Sequence, residues 1–261
     1  MPKTDLVTCA PEQSCKCCGA TAALFGVVDF SKNCRELDGF FLPVSGIPIY
    51  YYRCPACDFI FTTFFDDFTD EDMKAHIYND DYLEIDPGWQ EGRAQSGANM
   101  LMHNFGRHQE KLSILDYGCG SGQLAERLLK KGFPRVRSFD PHVAEFSTPP
   151  EGRFNLVICF EVFEHLTDPA RACREIVEFL TDDGIVVHST MLQPKEIDNV
   201  KLAWWYVGPR NGHVSIFSPK SLEILWRQVG MSVASVNQEF HIAARMIPDF
   251  AAHIMKTAGP K

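Results

Sequence analysis

No run of this sequence is apolar for the roughly 20 residues that a membrane-spanning helix needs. The opening MPKTDLVTCAPEQSCKCCG also lacks the charged-then-apolar layout of a secretory leader. No membrane partner is expected, and a cytoplasmic location is. Positive charge is scarce too: 25 Lys and Arg face 34 Asp and Glu, for a net charge of −9. That balance lacks the cationic excess of a broad nucleic-acid or anionic-lipid surface. Disulfides do not persist in a reducing compartment, so the ten cysteines are expected to be metal ligands or buried thiols.

What is present is apolar and unevenly arranged. The chain has 261 residues, 45% of them hydrophobic, enough for one medium domain and a small one. Seven cysteines (Cys9, Cys15, Cys17, Cys18, Cys34, Cys54 and Cys57) lie in the first quarter. Cys119, Cys159 and Cys173 sit inside apolar segments and read as buried thiols.

Two Cys-x-x-Cys pairs stand out, Cys15–Cys18 and Cys54–Cys57. A two-residue gap lets a tight turn aim both sulfurs at one ion, and two such turns make a closed tetrahedral site suited to structural zinc. Gly19 follows the first pair, where a knuckle needs positive φ. FGVVDF and PIYYYR read as strands between the pairs, and FIFTTFF follows the second. The expectation is a small zinc-ribbon-like domain over residues 1–68, with Cys17, Cys9 or Cys34 as substitute ligands. Residues 69–110 read as a polar helical bridge or cap carrying Tyr78, Tyr82, Trp89 and Arg93.

From residue 111 strand and helix alternate, which predicts an α/β fold over 111–261 with a doubly wound, mainly parallel sheet. The strand LSILDY ends in Gly118-Cys119-Gly120-Ser121-Gly122. The helix QLAERLLKK follows, with Leu124, Leu128 and Leu129 as its inward stripe. VRSFD, FNLVICF and GIVVHST read as further strands. Asp168-Pro169 and Ser218-Pro219 read as capped helix starts, and MSVASVNQEF with HIAARMI as a final antiparallel pair. The glycines miss the dinucleotide fingerprint, because Gln123 occupies its third slot. Asp116 is badly placed for a pyrophosphate and well placed for an ammonium group. Asp140, about twenty residues beyond the glycines, is where a carboxylate grips ribose hydroxyls. An amine and a ribose without phosphate describe S-adenosylmethionine better than NAD.

LDYGCGSG, SFDP, FNLVICFEVFEHLTDP and LTDDGIVVHS, in this order, resemble the motifs of class I S-adenosylmethionine-dependent methyltransferases. The resemblance implies a Rossmann-like sheet with an antiparallel last strand. CKCCG, YRCPACDFIFTTF, YNDDY and WWYVGPRNGHVSIFSPKSL add a likeness to a bacterial subgroup with a four-cysteine zinc domain, some of whose members methylate sugars. Carried over, it implies cofactor contacts from Asp116, Gly118, Gly120, Gly122, Phe139, Asp140, Pro141, Phe160 and Glu161, with Tyr78 and Arg93 closing over the methionine carboxylate. The stretch between Asp140 and Phe154 leaves room only for a shortened third strand near Glu145–Ser147, so no adenine-recognising residue is assigned.

A small-molecule acceptor is expected beyond the carboxyl ends of the strands, near EVFEHL and the long segment from Met191 to Phe217. His165, Trp204, Trp205, Tyr206 and Arg210 are the candidate acceptor-binding residues, Arg210 as partner of a phosphate or carboxylate. His213 is the candidate general base, since an imidazole of ordinary pKa takes a proton at neutral pH; in sugar C-methylating members a histidine in a similar segment has that role. Their accompanying tyrosine has no clear counterpart here, where Arg210 or Asn211 stands near its place. RNA or protein methylation, and a non-catalytic cofactor-binding scaffold, are the competing readings. The module carries only a few basic residues, among them Lys16, Lys32, Arg35 and Arg53, which disfavours nucleic acid.

Overall fold

The computed structural model describes residues 10–88 and 92–257; Cys9 and Trp89 lie outside them. Strands β1 (Glu12–Ser14), β2 (Thr21–Asp29), β3 (Pro48–Arg53) and β4 (Ile60–Thr62) form an antiparallel meander. The bridge follows as α1 (Asp70–His76), α2 (Tyr82–Ile85) and α3 (Gly92–Phe105). Thr69 and Asp72 close a reciprocal capping box at the start of α1. In α3 the buried residues Gly97, Ala98, Leu101 and Phe105 recur at helical spacing.

The second sheet is built from β5 (Ile114–Tyr117), β6 (Val136–Phe139), β7 (Phe154–Cys159), β8 (Leu180–Ser189), β10 (Ser232–Ser235) and β11 (Phe240–Ala244), in the order β10-β11-β8-β7-β5-β6. The four strands β5 to β8 run parallel, and β11 inserts antiparallel beside β8. This is the expected doubly wound sheet with its reversed strand. Helices α4 (Gln123–Lys130), α5 (Pro169–Glu178), α6 (Ile197–Val200), α7 (Pro219–Arg227) and α8 (Ala252–Thr257) complete the chain.

Alternation along the central strands sorts their side chains into two cores. Ile114, Leu156, Ile158 and Ile185 face α3 and α4. Leu115, Val157, Cys159 and Val186 face α5 and α7. The N-terminal cysteines and Phe59 belong to that same second core, so packing crosses the 68/69 boundary read from the sequence. A two-residue strand β9 (Ser215–Ile216) pairs with β4 and adds a fifth member to the N-terminal sheet.

Three local expectations are corrected. Residues 140–153 contain no third strand: they fold as a tight loop, with Asp140 N donating to Phe146 O, and β6 is the sheet edge. In α4 the buried positions are Leu124, Ala125 and Leu128, while Leu129 is 49% exposed. Five residues along a helix turn a side chain well off the stripe that Leu124 starts. The sequence pattern reads Leu180 as an inward residue of the helix that starts at Asp168-Pro169; α5 instead stops at Glu178, and Leu180 is buried as the first residue of β8.

Candidate cofactor and acceptor site

The turn after β5 forms the first half of the site. Gly118, Gly120 and Gly122 all have positive φ (71°, 53° and 74°). A side chain at Gly118 would meet Val162 Cγ2 at 2.5 Å, and one at Gly122 would meet Phe146 at 2.7 Å. Backbone strain and close approach therefore both require glycine there. Asp116 is buried in β5 and its Oδ2 has no hydrogen-bond partner among the described residues. Burial, reinforced by Asp140, pushes its carboxyl up to about 7. Asp140 accepts from Gly120 N (2.9 Å) and His142 N (3.0 Å), which ties the carboxyl end of β6 to the glycine turn. Pro141 is exposed beside it. Phe139 departs from expectation: its ring packs between Tyr117 (5.6 Å) and Phe179 (5.5 Å) in the core, on the face opposite to Asp140, and does not flank a nucleoside.

The loop after β7 supplies the adjoining wall. Phe160 packs over Gly97 and edge-on to Phe240 at 5.7 Å. Glu161 has φ 54°, an uncommon conformation for a non-glycine residue; Ser189 Oγ donates to its carboxylate at 2.8 Å. Arg93 reaches it from α3 at 3.3 Å and also donates to Asp86 at 2.6 Å. Burial and the neighbouring Glu164 raise the Glu161 carboxyl.

A cavity of about 380 Å³ opens here, lined among others by Cys34, Arg93, Glu161, Trp205, Tyr206 and His213. The structure therefore brings Arg93, Glu161 and the expected Trp205, Tyr206 and His213 of the long acceptor segment to one space. Asp116, Asp140 and the glycines lie outside this lining, at the carboxyl ends of β5 and β6 and in the turn after β5. Tyr206 accepts from Met191 N at 3.1 Å. Trp204 does not line the cavity; it packs with Leu202 and Tyr206 in a separate core. Tyr78 lies with its hydroxyl 3.5 Å from His165 Nδ1, and His165 Nδ1 is 3.0 Å from Gly212 O.

Two acceptor-side expectations change. Arg210 is buried and spent: it donates to Ile77 O and Asn79 Oδ1, both at 2.8 Å, so it holds the loop against α1 instead of offering itself to an anion. His213 is 7% exposed, and its Nδ1 lies 2.8 Å from Tyr206 O. Burial, then His165, hold its pKa well below the ordinary histidine range, so it is a neutral and weakened base. Sequence reasoning missed Asp86 and Glu239 in the cavity wall, because both lie in turns without a motif. It considered Cys34 only as a metal ligand. The thiol instead lines the cavity 3.6 Å from His213 Nδ1, pushed up to about 12 by burial.

The four expected ligands converge. The sulfurs of Cys15, Cys18, Cys54 and Cys57 all lie within 4.8 Å of one another, with Cys15–Cys57 and Cys18–Cys54 at 3.5 Å. Each pair sits on a matched knuckle: Gly19 N donates to Cys15 O and Asp58 N to Cys54 O, both at 2.8 Å. Gly19 (φ 77°) and Asp58 (φ 60°) occupy the same left-handed position. Cys17 is not one of the four; its Sγ lies 3.3 Å from Ser221 O.

Comparison with known proteins agrees with this layout. Residues 89–236, more than half of the chain, match the family model described as "Methyltransferase domain". A ubiquinone biosynthesis O-methyltransferase from Neisseria meningitidis serogroup C is 26% identical over 164 residues, covering 51% of this chain and 69% of that protein. One from Alkalilimnicola ehrlichii is 30% identical over 101 residues, covering 30% and 41%. Solved structures show a loose likeness. An O-methyltransferase family protein from Burkholderia thailandensis has a TM-score of 0.45 at 10% identity, covering 70% of this chain and 64% of that one. CalO1, a methyltransferase of calicheamicin biosynthesis in its SAH-bound form, has 0.41 at 14%, covering 70% of each. The family match shows the enzyme class that the four ordered motifs imply: this chain belongs to the methyltransferase-domain family, as a class I S-adenosylmethionine-dependent methyltransferase.

Proposed function

We propose that this enzyme moves the methyl group of S-adenosylmethionine to a hydroxyl of a small molecule held in the cavity beside His213. The observation that carries the cofactor half is Asp116, a buried carboxylate with an unpartnered oxygen beside three left-handed glycines. The ammonium of the methionine moiety is its natural partner, and Asp140 is released from Gly120 to take the ribose. Gly118, Gly120, Gly122, Pro141, Phe160 and Glu161 form the walls, and Arg93 with Tyr78 closes the methionine end.

The sulfonium is already activated, so alignment of the acceptor supplies most of the rate, about 7–11 kcal/mol in the best cases. Trp205, Tyr206 and His165 shape the acceptor space, and His213 is the side chain nearest to hand for a departing proton. Oxygen as the acceptor atom follows the relatives, which are named O-methyltransferases. The Cys15, Cys18, Cys54 and Cys57 thiolates hold a structural zinc, because four sulfurs leave no open position. In this reading residues 1–68 are the zinc module, 69–110 the cap and 111–261 the cofactor domain.

Calorimetry with S-adenosylhomocysteine tests the assignment. The protein should bind it, and Asp116→Ala should weaken binding strongly; equal affinity in the two would reject the site. Metal analysis should find about one zinc per chain.

A further inference from the structure

We infer that Glu164, His165 and His213 form a second metal centre, for one divalent transition cation, beside the cavity that His213 lines. One donor atom from each lies within 4.8 Å of the other two. Ligands of a common ion stand about 2.0–2.2 Å from it, so a modest inward movement completes the set.

The hydrogen bonds around the three residues prepare them for an ion. Nδ1 of His165 is 3.0 Å from Gly212 O, and Nδ1 of His213 is 2.8 Å from Tyr206 O. A carbonyl can only accept, so each Nδ1 carries the proton and donates. Both Nε2 atoms are left with free lone pairs. This is the backing that orients metal-binding imidazoles. Glu164 is completely buried, and among the described residues neither carboxylate oxygen has a hydrogen-bond partner. The Tyr206 and Thr190 hydroxyls approach it without reaching bonding geometry. A buried carboxylate left in that condition is costly, and a cation is the complement it lacks.

The frame is rigid. Glu164 and His165 share a 3-10 turn, Phe163–His165. His213 is held to that turn by Val214 N donating to Glu164 O at 2.8 Å, and to the N-terminal sheet by Tyr51 Oη donating to His213 O at 2.7 Å. Two imidazoles and one carboxylate, without thiolate, suit Mn²⁺, Fe²⁺, Co²⁺ or Zn²⁺. Cys34 stands at the Nδ1 side of the His213 ring, away from the free nitrogen.

Of the three, His213 alone lines the cavity, and an ion held by three protein ligands would keep positions free toward that side. An acceptor hydroxyl fills one of them; this last step alone rests on the proposed function. Bound to the cation, the hydroxyl loses its proton to water. Its oxygen then forms the new O–C bond as the sulfonium S–C bond breaks, and that electron pair returns to sulfur. With the cation bound, His213 serves as a ligand and gives up the role of proton acceptor assigned to it above, which fits an imidazole too deeply buried to be a good base.

Mn²⁺ is the probe, because it avoids the thiolate site, and its free ion is counted by electron paramagnetic resonance. The zinc-replete protein should bind one Mn²⁺ per chain. Glu164→Gln and His165→Gln should each weaken that binding by about tenfold or more. In the wild-type chain, bound Mn²⁺ should broaden the imidazole NMR signals of His165 and His213 first. No Mn²⁺ binding at millimolar concentration, or broadening that spares these two histidines, overturns the centre. Mn²⁺ binding without S-adenosylhomocysteine binding would leave the centre standing and fault the methyltransferase site instead.

Discussion

Asp116→Asn should make the ligand-free enzyme more stable while abolishing cofactor binding. The carboxyl rises from an ordinary 3.8 to about 7 because folding buries it with no partner for Oδ2. The folded state therefore holds this proton more tightly than the unfolded chain does, and Asp116 costs nothing below pH 4. As pH climbs from 4 to 7 the cost grows, then levels off at about 4 kcal/mol, the free energy of a displacement of that size. Asparagine keeps the shape and removes the charge. Urea denaturation at pH 4.5 and pH 8 should show little gain at the lower pH and a gain of up to about 4 kcal/mol at the higher. Calorimetry should show the reverse for S-adenosylhomocysteine: wild type binds and the variant does not. The ammonium group should also restore the carboxylate, so binding at pH 6 should release close to one proton, and binding at pH 8.5 none. Titration in buffers of different ionisation enthalpy measures this directly. Equal stability of the two proteins at pH 8, or proton uptake on binding, would refute the reasoning.

Gly122→Ala should destabilise by about 1–2 kcal/mol, from its left-handed φ alone, and should loosen the cofactor through Phe146; an unchanged urea midpoint would contradict this. Arg210→Met should lower the melting temperature through two lost buried hydrogen bonds, about 1–3 kcal/mol in all, with cofactor affinity intact. A normal melting temperature with lost acceptor binding would return Arg210 to the role of an anion clamp. Cys54→Ser should cut zinc to under a tenth of an equivalent per chain; full zinc content in the variant would remove Cys54 from the ligand set. Gel filtration and tryptophan fluorescence should register the damage beyond the N-terminal sheet, because the cysteine core is continuous with Trp226.

The sheet and the cofactor turn were legible because their signals are local. ILDY and FNLVIC are short buried runs, Asp168 and Ser218 cap helices one residue before a proline, and glycines mark the turn. The cysteine site was legible for the same reason: a three-residue step defines each knuckle, and only the pairing of two knuckles is long-range. Phe139 was within reach as well, since alternation puts it on the opposite face from Asp140. Arg210 was not. Its partners Ile77 and Asn79 lie more than 130 positions away, and nothing near Arg210 announces a carbonyl waiting there.

The acceptor wall was illegible for a deeper reason. His213 stands two residues before β9, a strand of two residues, too short to show any pattern of its own. Its pairing of Ile60 with Ile216 and Phe61 with Ser215 fixes the position of His213 against Glu164 and His165. β4 in turn begins three residues after Cys57. The cysteine cluster at the N-terminus and an imidazole some 150 residues later therefore share one hydrogen-bonded register. Loosening the cysteine cluster should therefore move the imidazole, through the β4–β9 pairing and not through a side chain of the cluster itself.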